Sequence, residues 1–164
     1  LWMRMDHNIR LSKELGDISL FSFPMRYAPI DQVDRKYVGK NWTKKQLTSM
    51  NVILNVTRGV VMGEDDFFYR AYGSDPEEFK RILAMPSEFI KYRQFFENNK
   101  LVEDWGNEYD LLTDEQRSEL LTHLSNSKRK EPEENSLTNI AKYYRITKAF
   151  CEENHVTVAE HLKG

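Results

Sequence analysis

The sequence predicts a mainly α-helical protein that begins with one terminal α/β unit, a single strand over residues 17–23, and continues as a multi-helix domain. Apolar residues recur every three or four positions along most of the chain, which indicates amphipathic helices. Gly and Pro stand at the ends of these periodic stretches, as they do at helix boundaries. Only the segment DISLFSF has apolar side chains on both faces of an extended chain, so it is the one predicted strand.

Length and composition describe one globular domain. The chain has 164 residues, 40% of them hydrophobic and 30% charged, which excludes collagen-like and wholly disordered proteins. No apolar run approaches the roughly 18 residues of a membrane span, so we expect no membrane partner. The single cysteine, Cys151, excludes an internal disulfide and a thiolate metal cage. A reducing, cytoplasmic location is therefore expected.

The first 41 residues are predicted to form a unit of their own. A helix over residues 1–15 ends at Gly16, the strand 17–23 follows, and Pro24 ends it. A helix leading into one buried strand is typical of the closing unit of an α/β sheet. A lone strand leaves its backbone groups unpaired. Because the chain also opens on Leu1 rather than Met, we expect it to be part of a longer gene product.

Residues 42–164 are predicted to form a helical domain. Thr113 with Gln116 matches a capping box, and Asp75 before Pro76 matches an N-cap. Residues 101–112 are expected to be less regular, and the polar stretch 125–135 to be an exposed linker. The predicted helices cover residues 42–62, 65–72, 76–84, 87–96, 113–125 and 136–153, with a short closing helix from Thr157.

The residues directly after the strand are the best candidates for a ligand site. Pro24 turns the chain at the sheet's carboxyl end, where open α/β folds and barrels bind ligands. Met25 can pack on a flat ring or a sulfonium group, Arg26 can pair with a carboxylate, and the Tyr27 hydroxyl can orient either. Alternatively, Met25 and Tyr27 fill the joint between sheet and helices, while Arg26 neutralises a nearby aspartate.

A basic stretch overlaps this segment. Residues 1–58 hold ten Lys and Arg against five Asp and Glu, a net charge of +5, whereas the whole chain has –2. Clustered cations attract phosphate, carboxylate or nucleic acid, although the stretch is equally explained as a solvated face balanced by the acidic half. Seven of the ten cations lie in residues 26–58, which we call the basic stretch: Arg26, Arg35, Lys36, Lys40, Lys44, Lys45 and Arg58. Of these, Arg35, Lys36 and Lys40 are, together with Tyr27, the predicted substrate- or anion-binding residues.

Five segments together resemble the C-terminal part of radical S-adenosylmethionine proteins, in which a partial (β/α) barrel precedes a helical extension. They are LWMRMDHNIRLSKELG, ISLFSFPMRY, DRKYVGKNW, ILNVTRGVV and DDFFYRAYG, within residues 1–95. That family binds an iron–sulfur cluster through a three-cysteine motif in its N-terminal part. This chain has only Cys151, so the resemblance implies no activity for the chain alone. S-adenosylmethionine and a [4Fe-4S] cluster are implied only for the full-length protein.

The resemblance also implies a site and a partner. It places Ser22, Pro24, Met25 and Arg26 near cofactor or substrate, and it makes the N-terminal barrel region of the same protein the expected partner. A homodimer through residues 17–23 is the other way to pair the strand. The competing function is a helical module that binds a protein or nucleic acid through residues 26–58. No catalytic residue and no metal ligand are predicted, and nucleic acid is disfavoured because Glu152 and Glu153 end the one segment suggestive of a helix-turn-helix.

Overall fold

The mainly α-helical class is confirmed in the computed structural model, which describes residues 1–16, 18, 20–31, 36–59, 61, 65–126, 137–145 and 148–156. The helices within these residues are α1 (Trp2–Leu15), α2 (Lys44–Val56), α3 (Asp65–Tyr72), α4 (Pro76–Ala84), α5 (Ser87–Lys91), α6 (Arg93–Asn98), α7 (Leu101–Asp110), α8 (Asp114–Asn126), α9 (Thr138–Ala141), a 3₁₀ helix (Lys142–Arg145) and α10 (Lys148–Glu153). Over the described part of the chain, every helix is too short or too polar to cross a bilayer.

Local side-chain chemistry sets several helix starts. The Asp75 carboxylate accepts the backbone N–H groups of Glu77 and Glu78 at 2.8 and 2.9 Å, which caps α4 as expected. Thr113 and Gln116 form the predicted capping box before α8. A second box, Thr43 with Gln46, starts α2 and was missed by the sequence analysis. These caps satisfy backbone donors that a helix leaves open at its first turn.

The core is built largely from stacked aromatic rings. Phe89 lies on Phe96 with ring centroids 4.5 Å apart, and Trp105 lies on Tyr109 at 5.0 Å. Phe89, Phe96 and Trp105 are completely buried. Burying a large side chain in this way contributes about 1.5–3 kcal/mol each to folding, so the aromatic cluster is a main source of stability.

Helix α1 packs into this same core. Its Trp2, Met5 and Ile9 are buried, and the Trp2 indole donates to the carbonyl oxygen of Gly73 at 2.9 Å. The Tyr69 hydroxyl donates to the carboxylate of Asp6 at 2.7 Å. The division of the chain at residue 41 stays a prediction, but α1 itself is bonded to α3 and to the turn after it.

The predicted strand 17–23 is reduced to one isolated antiparallel bridge, Ser22 to Val61; Asp17 and Ser19 lie outside the described residues. The reason is physical. A β-ladder needs a second extended segment, and the described residues offer no neighbouring strand for this one. Apart from Ser22, the described residues of 17–23 belong to no strand or helix.

Other predicted elements differ in detail. The helix expected over 87–96 is divided at Tyr92, whose ψ of 39° lies outside the helical range. The segment 101–112, expected to be irregular, contains the regular helix α7. The helix expected over 136–153 contains a 3₁₀ helix at 142–145. Most of the predicted linker 125–135 and the closing helix from Thr157 lie outside the described residues.

Candidate functional site

Residues 20–31, with Ile18, form what we call the extended segment. Its side chains alternate between two environments. Leu20, Ser22 and Pro24 are partly buried, whereas Phe21, Phe23, Met25 and Tyr27 expose large apolar groups. The exposed fractions are 50% for Phe21, 64% for Phe23, 89% for Met25 and 70% for Tyr27. The segment therefore has one covered face and one open apolar face.

The covered face is held by helix α1. The backbone N–H of Leu20 donates to the hydroxyl of Ser12 at 2.7 Å, and the amide of Asn8 donates to the hydroxyl of Ser22 at 3.0 Å. The carbonyl of Ser22 accepts the backbone N–H of Val61 at 3.1 Å. These bonds involve only polar groups, so they hold the segment in place without burying its apolar side chains.

Ile18 and Ile30 are exposed as well. Their exposed fractions are 52% and 106%, so six large apolar side chains of one segment are half or more exposed. Scattered exposed apolar residues are ordinary, but a contiguous row is typical of a surface that meets a partner. An extended backbone beside such a row also offers N–H and C=O groups to another strand.

Arg26 and Tyr27 close the loop that follows. The Arg26 guanidinium donates to the carbonyl oxygen of Tyr37, and the Tyr27 ring meets the Tyr37 ring edge-on with centroids 5.8 Å apart. Arg26 thus contacts a backbone carbonyl in this structure rather than Asp31, and Asp34 lies outside the described residues. The loop presents a guanidinium, a phenol and the Met25 thioether close together along the chain.

The remaining predicted residues are more dispersed. Lys36 and Lys40 are exposed on the same loop, and Arg35 lies outside the described residues. Ser22 and Pro24 lie on the covered side of the extended segment, away from the open face that Met25 shares with Tyr27. The two parts of the predicted cofactor set therefore have different exposures.

Lys45 is a polar residue whose environment the sequence analysis missed. It was counted among the cations of the basic stretch, and in the structure it is 7% exposed and lines a cleft of about 370 Å³ between α2, α5 and α8. The signal was present in the sequence. Lys45 stands four residues before Ser49 and eight before Ile53, on the buried stripe of α2.

Possible metal ligands and the one cysteine complete the survey of the described residues. Its His, Cys, Asp and Glu side chains form no group of three that would hold an ion. Cys151 is buried, and burial raises the pKa of its thiol, which disfavours the nucleophilic thiolate. No family model matches this sequence, and neither a curated protein nor a solved structure does.

Proposed function

We propose that this chain is a non-catalytic C-terminal portion of a radical S-adenosylmethionine enzyme. In the proposal, the extended segment completes the partial barrel formed by the N-terminal region of the same protein. The single observation that supports it best is the open apolar face of the extended segment, from Phe21 to Tyr27. The family assignment itself depends on the sequence resemblance.

A polypeptide neighbour would pair the backbone groups of the extended segment and would also cover its open apolar face. A neighbouring strand takes up unpaired backbone donors and acceptors, each of which is costly to bury alone. Helices or strands over the open face would remove the rings of Phe21 and Phe23 from water, at about 25 cal/mol for each Å² of apolar surface. The energetics thus favour a polypeptide neighbour of the kind that a barrel supplies.

The residues after Pro24 are suited to bind parts of S-adenosylmethionine. S-adenosylmethionine carries a carboxylate and a flat purine ring; Arg26 is suited to the first, and Met25 and Tyr27 to the second. To bind a carboxylate, the Arg26 guanidinium exchanges the neutral carbonyl of Tyr37 for a charged acceptor, which forms the stronger hydrogen bond. The iron–sulfur cluster does not fit this chain, because one buried cysteine cannot supply its thiolates. We assign the cluster to the N-terminal region and the whole protein to the reducing cytoplasm.

A second candidate function is a helical module that binds an acidic protein or nucleic acid. It is favoured by the exposure of Arg26, Lys36, Lys40 and Lys44. Burial of Lys45 removes one cation from that surface. Binding of this kind weakens steeply with added salt, whereas apolar docking through Phe23 does not.

The coding sequence upstream of Leu1 is the first test. The proposal expects three closely spaced cysteines there, and their absence favours the module.

The second test separates the partners of the extended segment. The N-terminal region is co-expressed with this chain as wild type, as Phe23→Lys, and as Leu111→Lys, a matched control that is 80% exposed elsewhere. We expect co-purification to fail only for Phe23→Lys. Equal co-purification of all three contradicts the proposal. Light scattering of the chain alone, beside Phe21→Lys, shows whether a homodimer uses the same face.

A further inference from the structure

The cleft beside Lys45 is separate from the extended segment. It lies where the start of α2 meets the start of α5 and the end of α8, and its volume is about 370 Å³. That volume falls within the range of small-molecule sites. Its hydrogen-bonding side chains include Thr48, Ser87 and Ser125. The cleft is therefore large and polar enough for a small metabolite.

The two hydrogen bonds of Lys45 can be made by a neutral amine. Its Nζ donates to the hydroxyl of Ser49 and to the carbonyl oxygen of Met85, both at 2.5 Å. A lysine ammonium has three donors, whereas a neutral amine has two and a free lone pair. Two acceptors among the described residues match the two donors of the neutral form, and the third proton of an ammonium would have to bond to water in the cleft.

The charges around Lys45 allow this state. Burial lowers the pKa of Lys45 to about 7, and the carboxylate of Glu88 on α5 raises it only in part. Lys44 beside it on α2 is a further cation at the cleft, Tyr144 contributes a phenol whose pKa burial raises, and the α8 residues Leu124 and Ser125 are uncharged. Near neutral pH the amine keeps a nucleophilic lone pair.

We propose that Lys45 forms a reversible imine with a small aldehyde or ketone bound in this cleft. The lone pair of Nζ attacks the carbonyl carbon, and the carbonyl oxygen takes up a proton as the nitrogen loses one. Loss of water from this carbinolamine gives the C=N bond, so the atoms balance with no oxidant or reductant. The hydroxyl group of Ser87, which lines the cleft, is available to the polar parts of the ligand.

Reductive trapping with pyridoxal tests the proposal. The intact chain is incubated with pyridoxal and cyanoborohydride at neutral pH, and the labelled lysines are located by fragmentation mass spectrometry. At that pH an amine of pKa about 7 has roughly a thousandfold larger neutral fraction than an ordinary lysine. Even with restricted access, we expect about tenfold or more label at Lys45 than at its neighbour Lys44.

Matched variants and pH complete the experiment. Lys45→Met should remove the selective label and Lys44→Met should leave it, while labelling of Lys45 should fall as the pH drops below about 7. If Lys45→Met does not fold, the ratio of label at Lys45 to that at Lys44 in the wild type decides alone. Label spread evenly over surface lysines, or absent from Lys45, overturns the proposal and leaves Lys45 as a structural contact to Met85.

Discussion

The helical body and the extended segment use large apolar side chains in opposite ways. In the body, Phe89, Phe96 and Trp105 have no exposed surface and stack on one another or on a neighbouring ring. In the extended segment, Met25 and Tyr27 are 89% and 70% exposed. The body buries its large apolar side chains, whereas the extended segment leaves its own exposed. This contrast is the physical basis of the proposed function.

The largest effect should come from breaking the aromatic core. Phe89→Ala removes a completely buried ring that stacks on Phe96, so we expect the free energy of unfolding to fall by about 3–5 kcal/mol. Phe23→Ala, in the extended segment, should change it by less than about 0.5 kcal/mol in the chain alone. Urea unfolding of both variants measures the difference. Similar losses would mean that the open face is packed in solution.

The basic stretch has cations in both regions: Lys45 is buried in the body, whereas Lys40 is exposed on the loop. Burial lowers the pKa of folded Lys45 to about 7, and the unfolded chain keeps the ordinary 10.5. Between these values the unfolded state binds a proton that the folded state lacks, so stability rises with pH. From about pH 7 to about pH 8.5 we expect a gain of roughly 2 kcal/mol, at most 1.4 kcal/mol per pH unit.

Urea unfolding at the two pH values measures this gain, and Lys45→Met is the control that should lack it. An equal pH dependence in both proteins would show that Lys45 remains protonated in the folded state, and it would also weaken the proposed imine chemistry.

An effect of similar size is expected at the turn after α3, to which Trp2 of α1 is hydrogen-bonded. Gly73 has a φ of 84°, and a Cβ there would lie 3.0 Å from the backbone nitrogen of Phe79. Gly73→Ala should therefore cost about 1–3 kcal/mol, and it should loosen Trp2, which bonds to the Gly73 carbonyl. Gly59→Ala is the control that measures backbone strain alone, because Gly59 has a φ of 78° but a Cβ there would meet no atom within 4 Å. If both substitutions lower the free energy of unfolding by the same amount, the close contact with the Phe79 backbone adds no cost and must relax.

Local chemistry in the sequence predicted much of the helical body. Each capping pair, Asp75 with Pro76 and Thr113 with Gln116, lies within four residues of sequence and is therefore recognisable without tertiary structure. Both pairs start helices as expected. The helical spacing of Leu101, Trp105 and Tyr109 also carried the signal for α7, but polar residues between them obscured it.

The candidate sites were harder to predict because they depend on distant residues. The Arg26 guanidinium bonds to the carbonyl of Tyr37, eleven positions away, and no local pattern encodes that contact. The strand was expected from its alternation, but a strand exists only with a neighbour, and the neighbour is a property of tertiary structure. Lys45 was assigned to a charged surface because its charge was counted without its position on the stripe of α2.

Arg26→Ala, like Phe23→Ala, is expected to change stability very little. Arg26 is exposed, and its bond to the Tyr37 carbonyl is replaceable by water, so the free energy of unfolding should change by less than about 0.5 kcal/mol. If Arg26 binds a carboxylate in the full-length protein, the same substitution should weaken ligand binding roughly tenfold to a hundredfold, as expected for a hydrogen bond between charged groups. Lys40→Ala, another exposed cation on the loop, serves as the control and should alter ligand affinity less. Thermal melting and ligand titration of the full-length variants separate the two roles: a parallel loss of stability and affinity would place Arg26 in the structure of the loop, whereas a loss of affinity alone would place it at the ligand.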